Sequence, residues 1–176
     1  MSDRNSLTTI ASSTRSFLET IWPDWQLKSH RSHGGAVPAI MSYSTCGRSS
    51  TFVQKVLDDL GMAAEVRHGW FQAEGSEARH AWVAISSWLV DVTADQFGAD
   101  EVIVTDQGDS RYFSDIDVAL PEFRLHRIQA VLEIWDRWLC SPIREKLVAD
   151  LGAQYGFTHR RHDVRPADVD LRQEGQ

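Results

Sequence analysis

Three residue types that together perform nucleophilic acyl chemistry occur in order along this chain: Cys46, His80 and Asp91. A cysteine at a helix start has its thiolate favoured by unpaired backbone N–H groups and by the helix dipole. A histidine takes the thiol proton and later returns it, and a carboxylate orients that histidine. The segment Ser44-Thr45-Cys46-Gly47-Arg48-Ser49-Ser50 runs into Phe52, Val53, Val56, Leu57 and Leu60, an apolar stripe at helical spacing closed by Gly61. Cys46 is thus expected at or just before the first turn of a buried helix. The chemistry such a set performs is acyl transfer on an amide, ester or thioester.

The histidine and the aspartate must then meet across a sheet. His80-Ala81-Trp82-Val83 and Leu89-Val90-Asp91-Val92-Thr93 read as two β-segments. If Ser86-Ser87 is a two-residue turn, Ile85 opposes Trp88, Asp91 faces Trp82 and His80 faces Thr93. If the loop spans 84–87, His80 faces Asp91 directly. In both registers His80 and Asp91 point to one side, because side chains alternate with period two. They are direct or diagonal neighbours, within reach of a carboxylate–imidazole contact. The opposite side carries Ala81, Val83, Trp88 and Val90, all apolar.

The surrounding elements define the expected scaffold. Residues 6–22 form a helix capped by Ser6, with Leu7, Ile10, Phe17, Leu18 and Ile21 near one stripe, and Pro23 ends it. Residues 26–45 are a loop containing Gly34-Gly35 and Pro38. Strands are expected over 64–71, 80–85, 88–92 and 101–104, with a weaker one near Tyr112-Phe113. Residues 122–139 return to helix, with Phe123, Ile128, Val131, Leu132, Ile134, Trp135, Trp138 and Leu139 as burial candidates. This is an α+β arrangement in a single domain over 1–161, and the polar stretch 162–176 reads as a mobile tail.

Composition bounds the function classes. A chain of 176 residues, 42% hydrophobic and 24% charged, suits one globular domain with a real core. Seven tryptophans imply a core or groove lined by large aromatics. A formal charge of −7 argues against nucleic acid and anionic lipid as partners. Two cysteines in unrelated contexts make no disulfide framework, and no apolar run approaches membrane-spanning length. A reduced, cytoplasmic setting, with no membrane partner, is the expectation.

Other residues compete for roles. Asp95 is the alternative orienter, but it lies in the turn Ala94-Asp95-Gln96 beyond the apolar strand. His30 and His33, like His159 and His162, have a zinc-like spacing, but no Cys or carboxylate completes either pair and arginines surround them. No metal and no cofactor are therefore expected. His68 alternates with Val66 and Trp70 and reads as structural, His126 as exposed, and Cys140 as a core residue near a helix end. Residues 91–120 hold eight acidic side chains and one basic, Arg111. Such a run is a solvated face, or it steers neutral or cationic substrates to the site.

The stretch from Thr45 to Gly98, with Cys46-Gly47-x-Ser49-Ser50, His80-Ala81-Trp82 and Asp91-Val92-Thr93-Ala94-Asp95-Gln96-Phe97, resembles the transglutaminase-like branch of the papain-like cysteine enzymes. The resemblance implies a nucleophile helix packed on an antiparallel sheet that supplies His and then Asp from adjacent strands. It implies Cys46 as nucleophile, His80 as general base and acid, and Asp91 as orienter. Peptides, proteins or small amides and amines would be the substrates. The spacings of 34 and 11 residues fit compact members. Arylamine N-acetyltransferases share the order, and Gln96-Phe97-Gly98 echoes their Gly-Phe-Gly, so an acyl-CoA-dependent N-acyltransferase is one alternative. A noncatalytic peptide-binding module on the same fold is the other. Papain-type proteases use an upstream Gln as oxyanion donor, and none stands between Gln26 and Cys46. Beside the Cys46 backbone N–H, candidates for a second donor are Ser42, Tyr43 and Ser44.

Overall fold

The computed structural model describes residues 3–33, 39–115 and 123–155. The elements are α1 (Arg4–Glu19), α2 (Trp22–His33), α3 (Cys46–Asp59), β1 (Glu65–Ala73), β2 (Ser76–Ile85), β3 (Trp88–Asp91), β4 (Ile103–Asp106), β5 (Tyr112–Ser114), α4 (Arg124–Leu139) and α5 (Pro142–Tyr155). A 3-10 turn over Ala94–Phe97 follows β3. The strands form one five-stranded antiparallel sheet in the order β4-β3-β2-β1-β5. The α+β class is therefore as expected, with helices packed on an antiparallel sheet.

Period-two alternation divides the core. Val83, Ile85, Val90, Val92 and Val104 face the helices and join Leu7, Ile10, Phe17, Phe52, Val56 and Trp138 in one cluster. Each large side chain buried there contributes roughly 1.5–3 kcal/mol of transfer free energy. The other face carries Phe71, Trp82, Leu89, Ile103 and Tyr112, roofed by the 3-10 turn through Ala94 and Phe97. Both faces are covered, which is why β2 is buried continuously from His80 to Ile85.

Several local expectations are corrected. The Asp3 carboxylate, not Ser6, caps α1 by accepting the Ser6 N–H at 2.8 Å. Pro23 does not open a loop. It lies in the first turn of α2, where proline has no helical N–H to withhold and its fixed φ suits a helix start. Residues 26–33, read as loop, are helical for that reason, and 34–38 lie outside the described residues.

In α4 only Val131, Ile134 and Trp138 are buried, on the line of closest approach to the core. Phe123, Ile128, Leu132 and Leu139 remain exposed, because one helix line cannot bury an apolar arc wider than its contact. Cys140 is exposed rather than core. It caps the C-terminus of α4, where the chain turns through Ser141 into α5, an element absent from the sequence expectation. The stretch expected as a tail, 162–176, lies outside the described residues. Among those described, no helix is long and apolar enough to cross a membrane.

Candidate active site

The β2–β3 hairpin adopts the first of the two registers: Ile85 opposes Trp88, Ala84 opposes Leu89 and Val83 opposes Val90. His80 and Asp91 are then diagonal neighbours on one face. His80 Nε2 lies 2.6 Å from Asp91 Oδ2, with both side chains fully buried.

The end of β3 admits the third residue. In a two-residue hairpin Ile85 and Trp88 exchange backbone hydrogen bonds, so Val83 and Ala81 also direct their N–H and C=O toward β3. Strand β3 stops at Asp91, and the Val92 carbonyl that would have met Ala81 instead accepts from Arg15 Nη1 at 2.8 Å. The first turn of α3 occupies the vacated slot. Ser50 Oγ donates to the Ala81 carbonyl at 2.9 Å, and the Ala81 N–H donates toward the Cys46 sulfur. A slot at the strand edge opens to both faces, so a helix on the apolar side places its thiol beside an imidazole on the other.

The Cys46 thiol interacts with His80. Since Asp91 occupies Nε2, Nδ1 is the nitrogen left to face the sulfur, and that buried atom has no hydrogen-bond partner within bonding geometry among the described residues. Cys46 itself is half-buried. Cys46 thus keeps some exposure as a residue, while His80 and Asp91 are buried.

Asp91 is held on both oxygens. Oδ1 accepts the Thr93 N–H at 2.8 Å and the Thr93 hydroxyl at 3.2 Å, an Asx-type turn that also bends the chain out of the sheet. Oδ2 accepts the Tyr112 hydroxyl at 2.9 Å beside the His80 contact. Gly69 makes the Tyr112 contact possible. A Cβ there would sit 1.8 Å from the Phe113 carbonyl oxygen, so only glycine lets β5 close on β1. Phe97 and Phe71 wall the imidazole edge-on, at centroid distances of 4.9 and 5.7 Å.

This environment shifts the protonation states together. Burial alone would push His80 down, but the Asp91 charge and hydrogen bond prevail and raise it to about 10. Burial alone would raise Cys46, but the hydrogen bond and charge of His80 bring it below the ordinary thiol value. Burial opposes ionisation of Asp91 too, yet His80, the Thr93 N–H and the Tyr112 hydroxyl hold it below the usual carboxylate range. The imidazolium and the carboxylate are favoured together, and the thiol is biased toward its thiolate.

The competing candidates are placed elsewhere. Asp95 accepts a bidentate pair of bonds from Arg15 at 3.0 Å each and a third from Ser42 Oγ at 2.7 Å. It ties α1 to the loop preceding Cys46 and does not adjoin His80. Because Ser42 spends its hydroxyl proton on Asp95, it is not an oxyanion donor. Gln96 donates to the Thr93 carbonyl at 2.8 Å and fixes the turn. Gln26 donates to the Ile40 and Met41 carbonyls and shapes the approach to Cys46. Tyr43 and Ser44 are exposed, with Ser44 at φ 58°.

Sequence reasoning missed Thr93, Tyr112 and Arg15. Asp-x-Thr at a strand end is a legible turn signal, and Arg15 interrupts the apolar stripe of α1 between Ala11 and Leu18. Tyr112 had no signal, since only the sheet order brings β5 beside β1. No family model matches the chain, and no curated protein or solved structure is significantly similar to it.

Proposed function

We propose that this chain is a cysteine hydrolase or acyltransferase of transglutaminase-like, papain-like type, working in the reducing cytoplasm. The observation that supports it best is the buried 2.6 Å Nε2–Oδ2 contact, with the Cys46 thiol interacting with the same imidazole. The Cys46 thiolate attacks a carbonyl carbon and forms the C–S bond. The resulting oxyanion is met by the Cys46 backbone N–H at the start of α3. His80 gives its Nδ1 proton to the departing amine, alcohol or thiol. In the second half it takes a proton from water or an amine as that nucleophile releases the acyl group.

The direct test compares the two cysteines. At pH 6 iodoacetamide is expected to label Cys46 faster than Cys140 although Cys140 is the more exposed, because the hydrogen bond and charge of His80 favour the Cys46 thiolate. Peptide mapping after brief labelling reads the ratio. Equal, slow labelling would eliminate the acyl-transfer reading and leave a binding module.

The pH profile of kcat/KM should be a bell. Its acid limb lies below the ordinary thiol range, where Cys46 loses its charge, and its basic limb falls at about 10, where the His80 acid is lost. His80 also links the site to stability. Its pKa is raised on folding, so its stabilisation is complete below about 6.5 and is lost as pH rises through about 10. A basic limb near 6.5 would contradict the imidazolium assignment.

A further inference from the structure

We infer that Tyr112 is a positioning residue of this site: by sharing Asp91 Oδ2 with His80, its hydroxyl limits the carboxylate's hold on the imidazolium and keeps His80 able to protonate a departing amine. The inference rests on the reading of Cys46 as the nucleophile and His80 as its acid.

The Asp91 carboxylate receives four donors. The Thr93 N–H and hydroxyl take Oδ1, while His80 Nε2 at 2.6 Å and the Tyr112 hydroxyl at 2.9 Å take Oδ2. Four donors fill the lone pairs that two carboxylate oxygens offer. The two on Oδ2 compete, because charge that this oxygen gives to the phenol is withdrawn from the imidazolium. The competition is built into the fold. Strand β5 has three residues and lies against β1 through the close approach that Gly69 allows, which brings Tyr112 opposite Phe71. The phenol ring then packs edge-on against Phe71 and Trp82, at centroid distances of 5.0 and 5.1 Å. Phenylalanine would make the same ring contacts without burying a hydroxyl, so core filling does not account for the oxygen.

Tyr112 is a permanent donor, since burial and then the Asp91 charge push its pKa up and it keeps its proton. The groups that act on His80 are Asp91 and Cys46, and the rings beside it, Phe71, Phe97 and Trp82, carry no charge. Beyond Asp91, the charges that act on Tyr112 are Arg111 and Asp109, which pair with each other. When the C–N bond of an amide breaks, the amine leaves with the Nδ1 proton. The ring keeps its Nε2 proton and Asp91 stays ionised. That step becomes harder as Oδ2 binds the imidazolium more strongly, because the acid then releases its proton less readily. A second donor on Oδ2 weakens that hold without removing the orienting contact.

Two replacements at position 112 test the idea in opposite directions. Tyr112→Phe keeps the ring and leaves Oδ2 to His80 alone. The affinity of His80 for its proton should then rise about three- to tenfold, the scale of one hydrogen bond's net contribution. Its titration would move above about 10, followed by NMR of the imidazole Cε1–H as pH is raised. Incorporation of 3-fluorotyrosine at position 112 supplies a more acidic hydroxyl that donates more strongly, so the same titration should move the other way. A ring that only fills space gives no such opposed pair. An unshifted or lowered titration in Tyr112→Phe, or shifts of the same sign with both replacements, would overturn the role of Tyr112 and leave Cys46 as the nucleophile. Alkylation of wild-type Cys46 by iodoacetamide at pH 6, which forms one S–C bond and releases iodide, separates the two readings. Slow alkylation there would remove the nucleophile, and this inference with it.

Discussion

Asp91→Asn is expected to lower kcat on any working acyl substrate by about 10³–10⁴-fold, the scale seen when a triad carboxylate is neutralised. With the carboxylate present, Nε2–H donates to Oδ2, leaving Nδ1 to exchange a proton with the sulfur. An asparagine that turns its NH2 toward Nε2 makes that atom the acceptor and drives the neutral-ring proton to Nδ1, where it cannot act as a base. The loss of charge compounds this, since burial then acts on His80 opposed only by Cys46 and weakens the imidazolium. The Thr93 contacts still find an acceptor in the amide oxygen at the Oδ1 position, and the Tyr112 hydroxyl can turn to accept from the new NH2, so circular dichroism should report an intact fold. Cys46→Ala should remove turnover altogether, because no C–S bond can form. Asp95→Asn should leave most of the turnover in place, since its carboxylate serves Arg15 and Ser42. A ranking in which Asp95→Asn is the more damaging change would transfer the orienting role away from Asp91.

Arg15→Met should cost about 3–5 kcal/mol of stability, the range for removing one partner of a buried ion pair. Arg15 is 6% exposed and donates to the carbonyls of Val92 at 2.8 Å and Glu101 at 2.9 Å as well as to Asp95. Methionine preserves much of the stem but leaves two carbonyls and a largely buried carboxylate without their donor. Urea unfolding measures the loss. A value under about 1 kcal/mol would mean that water replaces the guanidinium at little cost. The variant also bears on the site, because a Val92 carbonyl released from Arg15 can compete for the Ala81 N–H that faces Cys46. Slower alkylation of Cys46 is therefore expected alongside the lost stability. Adding Asp95→Asn should recover part of the stability, because it removes the stranded charge.

Much of the proposed site was legible before any coordinates. The helix carrying Cys46 is local physics: an apolar stripe from Phe52 to Leu57 with glycine as its stop. The shared face of His80 and Asp91 follows from strand parity, which no choice between the two candidate registers alters. Local pattern failed at Pro23, which permits a helix start as readily as it ends a helix, and at Phe123, Ile128, Leu132 and Leu139, whose apolar character promised burial that packing did not supply.

What the chain determined by itself is therefore parity, periodicity and the inventory of reactive groups, all of which depend on neighbours within a few residues. Tertiary structure alone decided that β3 ends one residue short of pairing with Ala81, that Arg15 takes the Val92 carbonyl, and that α3 enters the gap. It also brought Tyr112 to Asp91 and Arg127 to Gly47. These contacts join residues 21 to 80 positions apart, and each depends on which backbone groups remain unpaired once sheet and helices have packed. No local pattern carries that information, because a vacated hydrogen-bonding site exists only after the strand that could have filled it has turned away.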